Sequence, residues 1–182
     1  MEIVAFDTET TGLVTNVKRP VEKQPKIVEL SAIRFRVKDG KPDILSTFEG
    51  RFDPGEKLSK EVKRVTGISD NDLKGRPSFS DGFGLSRDVF EGADCVTAHN
   101  LVFDMMMVEL EAERRGKSWD FLWPKMKICT VEASRFLKGR DLKLIDLHKE
   151  LFGEGFSGAH GSMADTEALM RCFSELHIRG LV

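Results

Sequence analysis

The chain has no tyrosine, and its only tryptophans are Trp119 and Trp123. That scarcity excludes a platform on which many bases stack in succession. Its three cysteines (Cys95, Cys129 and Cys172) are odd in number and show no CxxC spacing. Neither a disulfide framework nor a zinc site fits them, and each sits among apolar neighbours as a small core residue would. No apolar run approaches the roughly 20 residues of a membrane helix. The start is not a signal segment either, because Glu2 and Asp7 replace the basic and apolar regions one would need. A cytoplasmic protein without membrane contact is expected. An excess of positive charge is also missing: the net charge is −2. Holding nucleic acid by bulk charge is thereby disfavoured, whereas a brief local encounter is not.

What is present suits one domain over residues 1–182, with 40% apolar and 32% charged residues and no repeat or linker. The chain opens MEIVAFDTETTGL. Ile3 to Phe6 is apolar on both parities, as in a strand covered on both faces. Residues two apart on a strand point the same way, so Asp7 and Glu9 present two carboxylates on one side. Taken alone, the pair fits a polar turn; paired with further oxygen ligands, it fits a divalent cation.

Residues 14–26 (VTNVKRPVEKQPK) have no helical or alternating pattern and carry Lys18, Arg19, Lys23 and Lys26. They read as a long loop, either a solvated tip or a functional element. Residues 27–37 and 44–52 read as strands around an Asp39-Gly40 turn, giving an antiparallel meander with the first strand. Helical pattern runs from Ser59 to Gly67, after Ser69-Asp70, and from Ser78 or Ser80 to Phe90. Residues 94–99 form a short buried strand leading into a helix that stops at Gly116. A short strand at 128–130, helices from Thr130 to Leu137 and from Leu142 to Phe152, and a last helix over 162–178 complete the order. Strands first, then helices with interspersed strands, indicate a mixed sheet in an α/β or α+β domain.

Two more carboxylates occupy comparable places. Asp104 lies in the first turn of the helix after the 94–99 strand, and Asp165 in the first turn of the last helix, five residues after His160. Helix dipoles alone favour acids there. Yet a strand end, a strand-to-helix junction and a loop-to-helix junction can all converge at one sheet edge.

These segments carry a resemblance. Asp7-Thr8-Glu9-Thr10-Thr11-Gly12-Leu13, His99 to Asp104, and His160 to Asp165 resemble the three motifs of the DnaQ-like 3′→5′ exonucleases. The subgroup is the one with four acids and a histidine (DEDDh), which includes the proofreading subunits and domains of bacterial DNA polymerases. Val65-Thr66-Gly67-Ile68 and Cys129-Thr130 agree, although Thr66 stands where many members have histidine. The resemblance implies a ribonuclease H-like α/β fold, with a mixed five-stranded sheet and helices on both faces. It implies that Asp7, Glu9, Asp104 and Asp165 hold two Mg²⁺ or Mn²⁺ ions, chemistry that all-oxygen ligands suit. His160 would be the general base, mostly neutral near pH 7 and able to accept a proton.

By the same resemblance, Thr10, Gly12, Leu13, Val65, Thr66 and Phe103 would line the terminal nucleotide's pocket, Leu13 as a wedge. Val65 and Phe103 fit core positions equally well. His99 reads as a packing residue, and His148 and His177 as helix histidines without acidic company. The implied partner is a nucleic-acid 3′ end, single-stranded DNA foremost, with a polymerase partner not visible in the chain. The implied reaction releases nucleoside 5′-monophosphates. An exoribonuclease trimming RNA 3′ ends is the alternative, depending on how the pocket treats a 2′-hydroxyl. A catalytically silent nucleic-acid-binding module would be expected to lack a ligand, and none is missing. An aspartyl-phosphate phosphatase on Asp7 would want aspartate where Glu9 stands.

Overall fold

Strand β1 (Ile3–Thr10) is the centre of a five-stranded sheet in a computed structural model that describes residues 1–115, 123–158 and 161–182, apart from the side chains of Phe83 and Leu85. Alternation sorts this strand's side chains. Val4 and Phe6 enter one buried cluster, and Ile3 and Ala5 enter another on the opposite face. The expected two-sided strand is therefore present. It also runs farther than its apolar residues, so that Asp7 and Glu9 lie inside it rather than in a turn.

Beyond β1, a single-turn 3₁₀ helix at Val21–Lys23 interrupts the expected loop. Strands β2 (Ile27–Lys38) and β3 (Lys41–Arg51) pair antiparallel, β2 also pairing antiparallel with β1. The third strand begins three residues earlier than the pattern predicts. Asp39 (φ 51°) and Gly40 (φ 74°) are both left-handed, a two-residue turn whose twist lets pairing persist to Lys38 and Lys41.

Helices α1 (Lys60–Thr66), α2 (Asp70–Leu73) and α3 (Phe79–Phe90) follow. The hydroxyls of Ser59 and Ser78 accept the Val62 and Asp81 amides as N-caps, and Gly67 ends α1 in the left-handed conformation. Next come β4 (Cys95–Ala98), α4 (Leu101–Arg114), β5 (Met126–Cys129), α5 (Thr130–Lys138), α6 (Leu144–Phe152) and α7 (Ser162–Ile178). The sheet order is β3-β2-β1-β4-β5, with β4 parallel to β1 and β5 parallel to β4.

Three boundaries differ from expectation. Thr130 is the first residue of α5 rather than its cap, because its hydroxyl is used by the His99 ring at 2.9 Å. Helix α6 starts at Leu144 because the buried Leu142 amide donates to the Ser134 hydroxyl, and its carbonyl receives His99 Nε2. The expected stop at Gly116 lies outside the described residues, as does Trp119.

Helices cover both faces. Val4 and Phe6 pack with Phe79, Val89 and Phe90 of α3 and Leu101, Met107 and Val108 of α4. Ile3, Ala5, Ile33 and Phe35 pack against Leu169, Met170 and Phe173 of α7. Trp123 stacks into the first cluster against Phe6 and Phe90, consistent with a core role. Cys95 and Cys172 are buried free thiols, pushed up by burial to about 11 and about 12. Among the described residues no helix is long and apolar enough to cross a membrane.

Candidate active site

Odd-numbered residues of β1 face α7, and this parity builds the site. Beyond Ile3 and Ala5 the same face carries Asp7 and Glu9, and the first turn of α7 brings Asp165 to meet them. One carboxylate oxygen from each of the three lies within 4.8 Å of the others, all three side chains being half-buried. The N-terminus of α7 is seated by its own residues. The Ser162 hydroxyl lies 2.5 Å from the Ser31 hydroxyl and 2.6 Å from Glu29 Oε1, and the Asp165 amide donates to the Gly161 carbonyl.

Asp104 arrives from the other face. Asn100, with a left-handed φ of 89°, turns the chain from β4 into α4 and sets Asp104 in the first turn. Its Oδ1 accepts the Thr8 amide (3.1 Å) and the Thr8 hydroxyl (2.7 Å). The structure therefore brings Asp7, Glu9 and Asp165 into one tight cluster and places Asp104 beside it, anchored to β1 between the two strand acids. His160 lies outside the described residues.

The electrostatics match this crowding. Burial, then the charges of Asp104, Glu9, Asp165 and Glu29, hold the Asp7 carboxyl well above its usual range. Burial, then Asp165, Glu29 and Asp104, push Glu9 up to about 8. Asp104 is pushed up to about 7 by burial, against the opposing pull of its Thr8 hydrogen bonds. Carboxylates in this arrangement repel one another when ionised, and a hard cation held by oxygen ligands relieves the repulsion. The donor set fits divalent metal ions.

Next to the acids is a cleft of about 470 Å³. All six residues expected around a terminal nucleotide (Thr10, Gly12, Leu13, Val65, Thr66 and Phe103) line it, together with Glu9. Leu13 is 73% exposed and Val65 41%, so neither is a core residue. Phe103 is half-buried against the α4 cluster. Several polar groups are already engaged: the Thr66 hydroxyl donates to the Val62 carbonyl, the Thr10 hydroxyl to the Gly12 carbonyl, and the Thr11 amide to the Lys26 carbonyl.

A family described as Exonuclease matches residues 4–173. The chain belongs to the exonuclease family. A PolC-type DNA polymerase III of Lacticaseibacillus paracasei is 35% identical over 169 residues, covering 92% of this chain and 11% of that protein. Another, of Halalkalibacterium halodurans, is 30% identical over 169 residues, covering 86% and 11%. The chain thus spans about a tenth of the length of these curated relatives. Among solved structures, the nuclease domain of 3′hExo, a DEDDh family member bound to rAMP, superposes with a TM-score of 0.79 at 16% identity, covering 99% of this chain and 93% of that one. Exonuclease X in complex with 5′-overhanging duplex DNA gives 0.67 at 20% identity, covering 98% and 93%. The ribonuclease H-like mixed sheet is shared with these neighbours.

Two features escaped the sequence reading. Glu29 pairs in register with Glu9, is buried, and forms an ion pair with Arg51 while accepting Ser162. A glutamate within an otherwise apolar stretch of β2 was the available signal. Ser59 and Val62 of the α1 region line the cleft beside Val65. Helical spacing of Val62, Val65 and Thr66 could have shown that they share a face. His99 is pushed down to about 4 by burial and bridges Thr130 and Leu142 as a neutral strut, which agrees with its expected packing role.

Proposed function

We propose that residues 1–182 act as one exonuclease domain that removes nucleoside 5′-monophosphates from the 3′ end of single-stranded DNA. The observation that carries this reading is the adjacency of the Asp7–Glu9–Asp165 cluster to a cleft of one-nucleotide scale lined by Leu13, Val65 and Phe103. Relationship to the polymerase relatives favours DNA and a replication or repair setting, with a polymerase as the natural partner.

In this reading Asp7, Glu9 and Asp165, with Asp104 alongside, would hold two Mg²⁺ or Mn²⁺ ions, which would supply Lewis-acid stabilisation of the attacking and leaving oxygens. The side chains do the rest. Leu13 and Phe103 grip the terminal nucleotide and fix its phosphate against the acids. His160, placed by sequence five residues before Asp165, accepts a proton from the attacking water through an imidazole nitrogen. The water oxygen bonds to phosphorus, the P–O3′ bond breaks, and the leaving 3′ oxygen takes a proton from solvent, so that the shortened strand ends in a new 3′-hydroxyl. Thr8 holds the Asp104 carboxylate in place throughout.

The test is digestion of 3′- and 5′-labelled DNA and RNA oligonucleotides, single- and double-stranded, with Mg²⁺, Mn²⁺ or chelator. Stepwise shortening of single-stranded DNA from the 3′ end, abolished by chelator and by Asp104→Ala, is expected. Activity that survives chelation would overturn the metal reading, and preference for RNA would replace DNA with RNA 3′ ends.

A further inference from the structure

The loop after β1 is a built structure. Its neck is closed by two hydrogen bonds: the Thr11 amide to the Lys26 carbonyl, and the Lys26 amide to the Thr11 hydroxyl. Inside, the buried Gln24 side-chain amide donates to the Asn16 and Arg19 carbonyls at 2.9 and 3.0 Å. From below, the Arg114 guanidinium of α4 donates to the Val21, Gln24 and Pro25 carbonyls. A closed neck and internal packing define an Ω-loop.

This loop walls a second cavity of about 280 Å³, which shares Thr11, Gly12, Leu13 and Ser59 with the nucleotide cleft. Among the described residues, Arg19, Lys23 and Lys57 line it against a single carboxylate, Glu56. None of the three cations forms an ion pair among the described residues. Three positive charges against one negative give a local +2 on a chain whose net charge is −2. Concentrated positive charge in a concave site attracts and retains a polyanion locally.

The geometry points to a phosphate subsite: the cavity behind Gly12-Leu13 takes a phosphodiester of the substrate strand one step away from the terminal nucleotide. This rests on the exonuclease reading, since it assumes that the terminal nucleotide fills the adjoining cleft. Three features favour a phosphate over a base. Three cations line it, the loop is held in place, and no aromatic ring among the described residues lines the cavity. The domain then grips more than the nucleotide it releases, and Arg19 and Lys23 set its preference for polymer over a lone nucleotide ester.

The test compares wild type, Arg19→Ala/Lys23→Ala, Lys57→Ala and a control, Lys18→Ala, whose side chain does not line the cavity. Substrates are the p-nitrophenyl ester of thymidine 5′-monophosphate, which has no second phosphate, and single-stranded decathymidylate, each at 50–300 mM salt. The double variant is expected to raise KM for decathymidylate about tenfold and to flatten the log–log salt dependence by about 0.7, the value for one phosphate contact on a single strand. Its hydrolysis of the ester should stay within about twofold of wild type on the same counterion argument. Lys18→Ala should leave the salt slope in place, and thermal melts check that every variant folds.

An unchanged decathymidylate KM and slope overturns the subsite, as does an equal loss on both substrates. Decathymidylate annealed to a longer complementary strand is digested in parallel, and a defect confined to that duplex overturns the same-strand assignment in favour of the opposite strand. Anisotropy of labelled decathymidylate in Ca²⁺ reads the subsite independently of cleavage. Wild type that binds with the expected slope but cleaves nothing overturns the exonuclease reading and leaves the subsite standing.

Discussion

Asp104 Oδ1 receives both the amide and the hydroxyl of Thr8, at 3.1 and 2.7 Å, across 96 residues of sequence. This pair joins α4 to β1 at the point where Asp7 and Glu9 flank Thr8. Thr8→Val keeps the shape and the amide bond but removes the hydroxyl donor. A buried acceptor losing one partner costs about 1–3 kcal/mol. We expect a melting temperature lower by several degrees and kcat/KM lower by about tenfold, as an acid bordering the reacting centre loses its fixed rotamer. Full activity in Thr8→Val would deny the hydroxyl a positioning role.

Stability in the absence of metal should fall as pH rises. The folded chain holds Asp7, Glu9 and Asp104 above their usual range, Glu9 at about 8 and Asp104 at about 7. Between the ordinary carboxylate range near ~4 and these raised values, the folded state binds more protons than the unfolded state. Stability contributed by these groups is therefore present at low pH and lost as pH climbs through about 8. Thermal melts in chelator from pH 5 to 8 should show the decline, and Glu9→Gln should flatten it. Added Mg²⁺ should stabilise more at pH 8 than at pH 6, with proton release in calorimetric titrations. A chelated protein whose stability rises steadily over this window would contradict the placement of the acids.

Replacing His160 with alanine should lower kcat by about 10²–10⁴ if it accepts the water's proton. Metal-induced stabilisation should be retained, since the acids are untouched. A kcat within twofold of wild type would remove His160 from the role of base.

Arg114 has two duties, and one substitution tests both. It pairs with the buried Glu111 carboxylate at 2.8 Å and tethers the Ω-loop carbonyls. Arg114→Ala leaves a buried charge uncompensated, which costs about 3–5 kcal/mol. Urea unfolding should show that loss, and trypsin should cut after Lys18 or Lys23 faster than in wild type. Cleavage at an unchanged rate would mean that the loop is held by its own contacts.

Much of this was legible in the residues. The parity of Ile3, Ala5, Asp7 and Glu9 placed two acids on one face before any contact was known, and the caps at Ser59, Ser78 and Gly67 marked helix ends correctly. The six cleft residues followed from family resemblance and were found together. Less legible was anything decided by distant partners. The loop of residues 14–26 looked unstructured because its order comes from Arg114, about ninety residues away. Glu29 stood out locally only as a charge in an apolar stretch; that it faces Glu9 and Ser162 is decided by β1 and α7, outside its own window. The late start of α6 depends on Ser134 and His99, again outside its own window.

The sorting of β1 by odd and even residues has a consequence for how such a chain can change. Inserting or deleting one residue between Ile3 and Glu9 would exchange the carboxylates facing α7 for the threonines facing α4, erasing the chemistry in one step. The loop closed by Thr11 and Lys26 is free of that constraint, because its length can change without moving either strand's register. One stretch of the chain is thus frozen in length while the adjoining stretch is open to growth, and new substrate ranges can arise by adding residues where the old chemistry does not notice them.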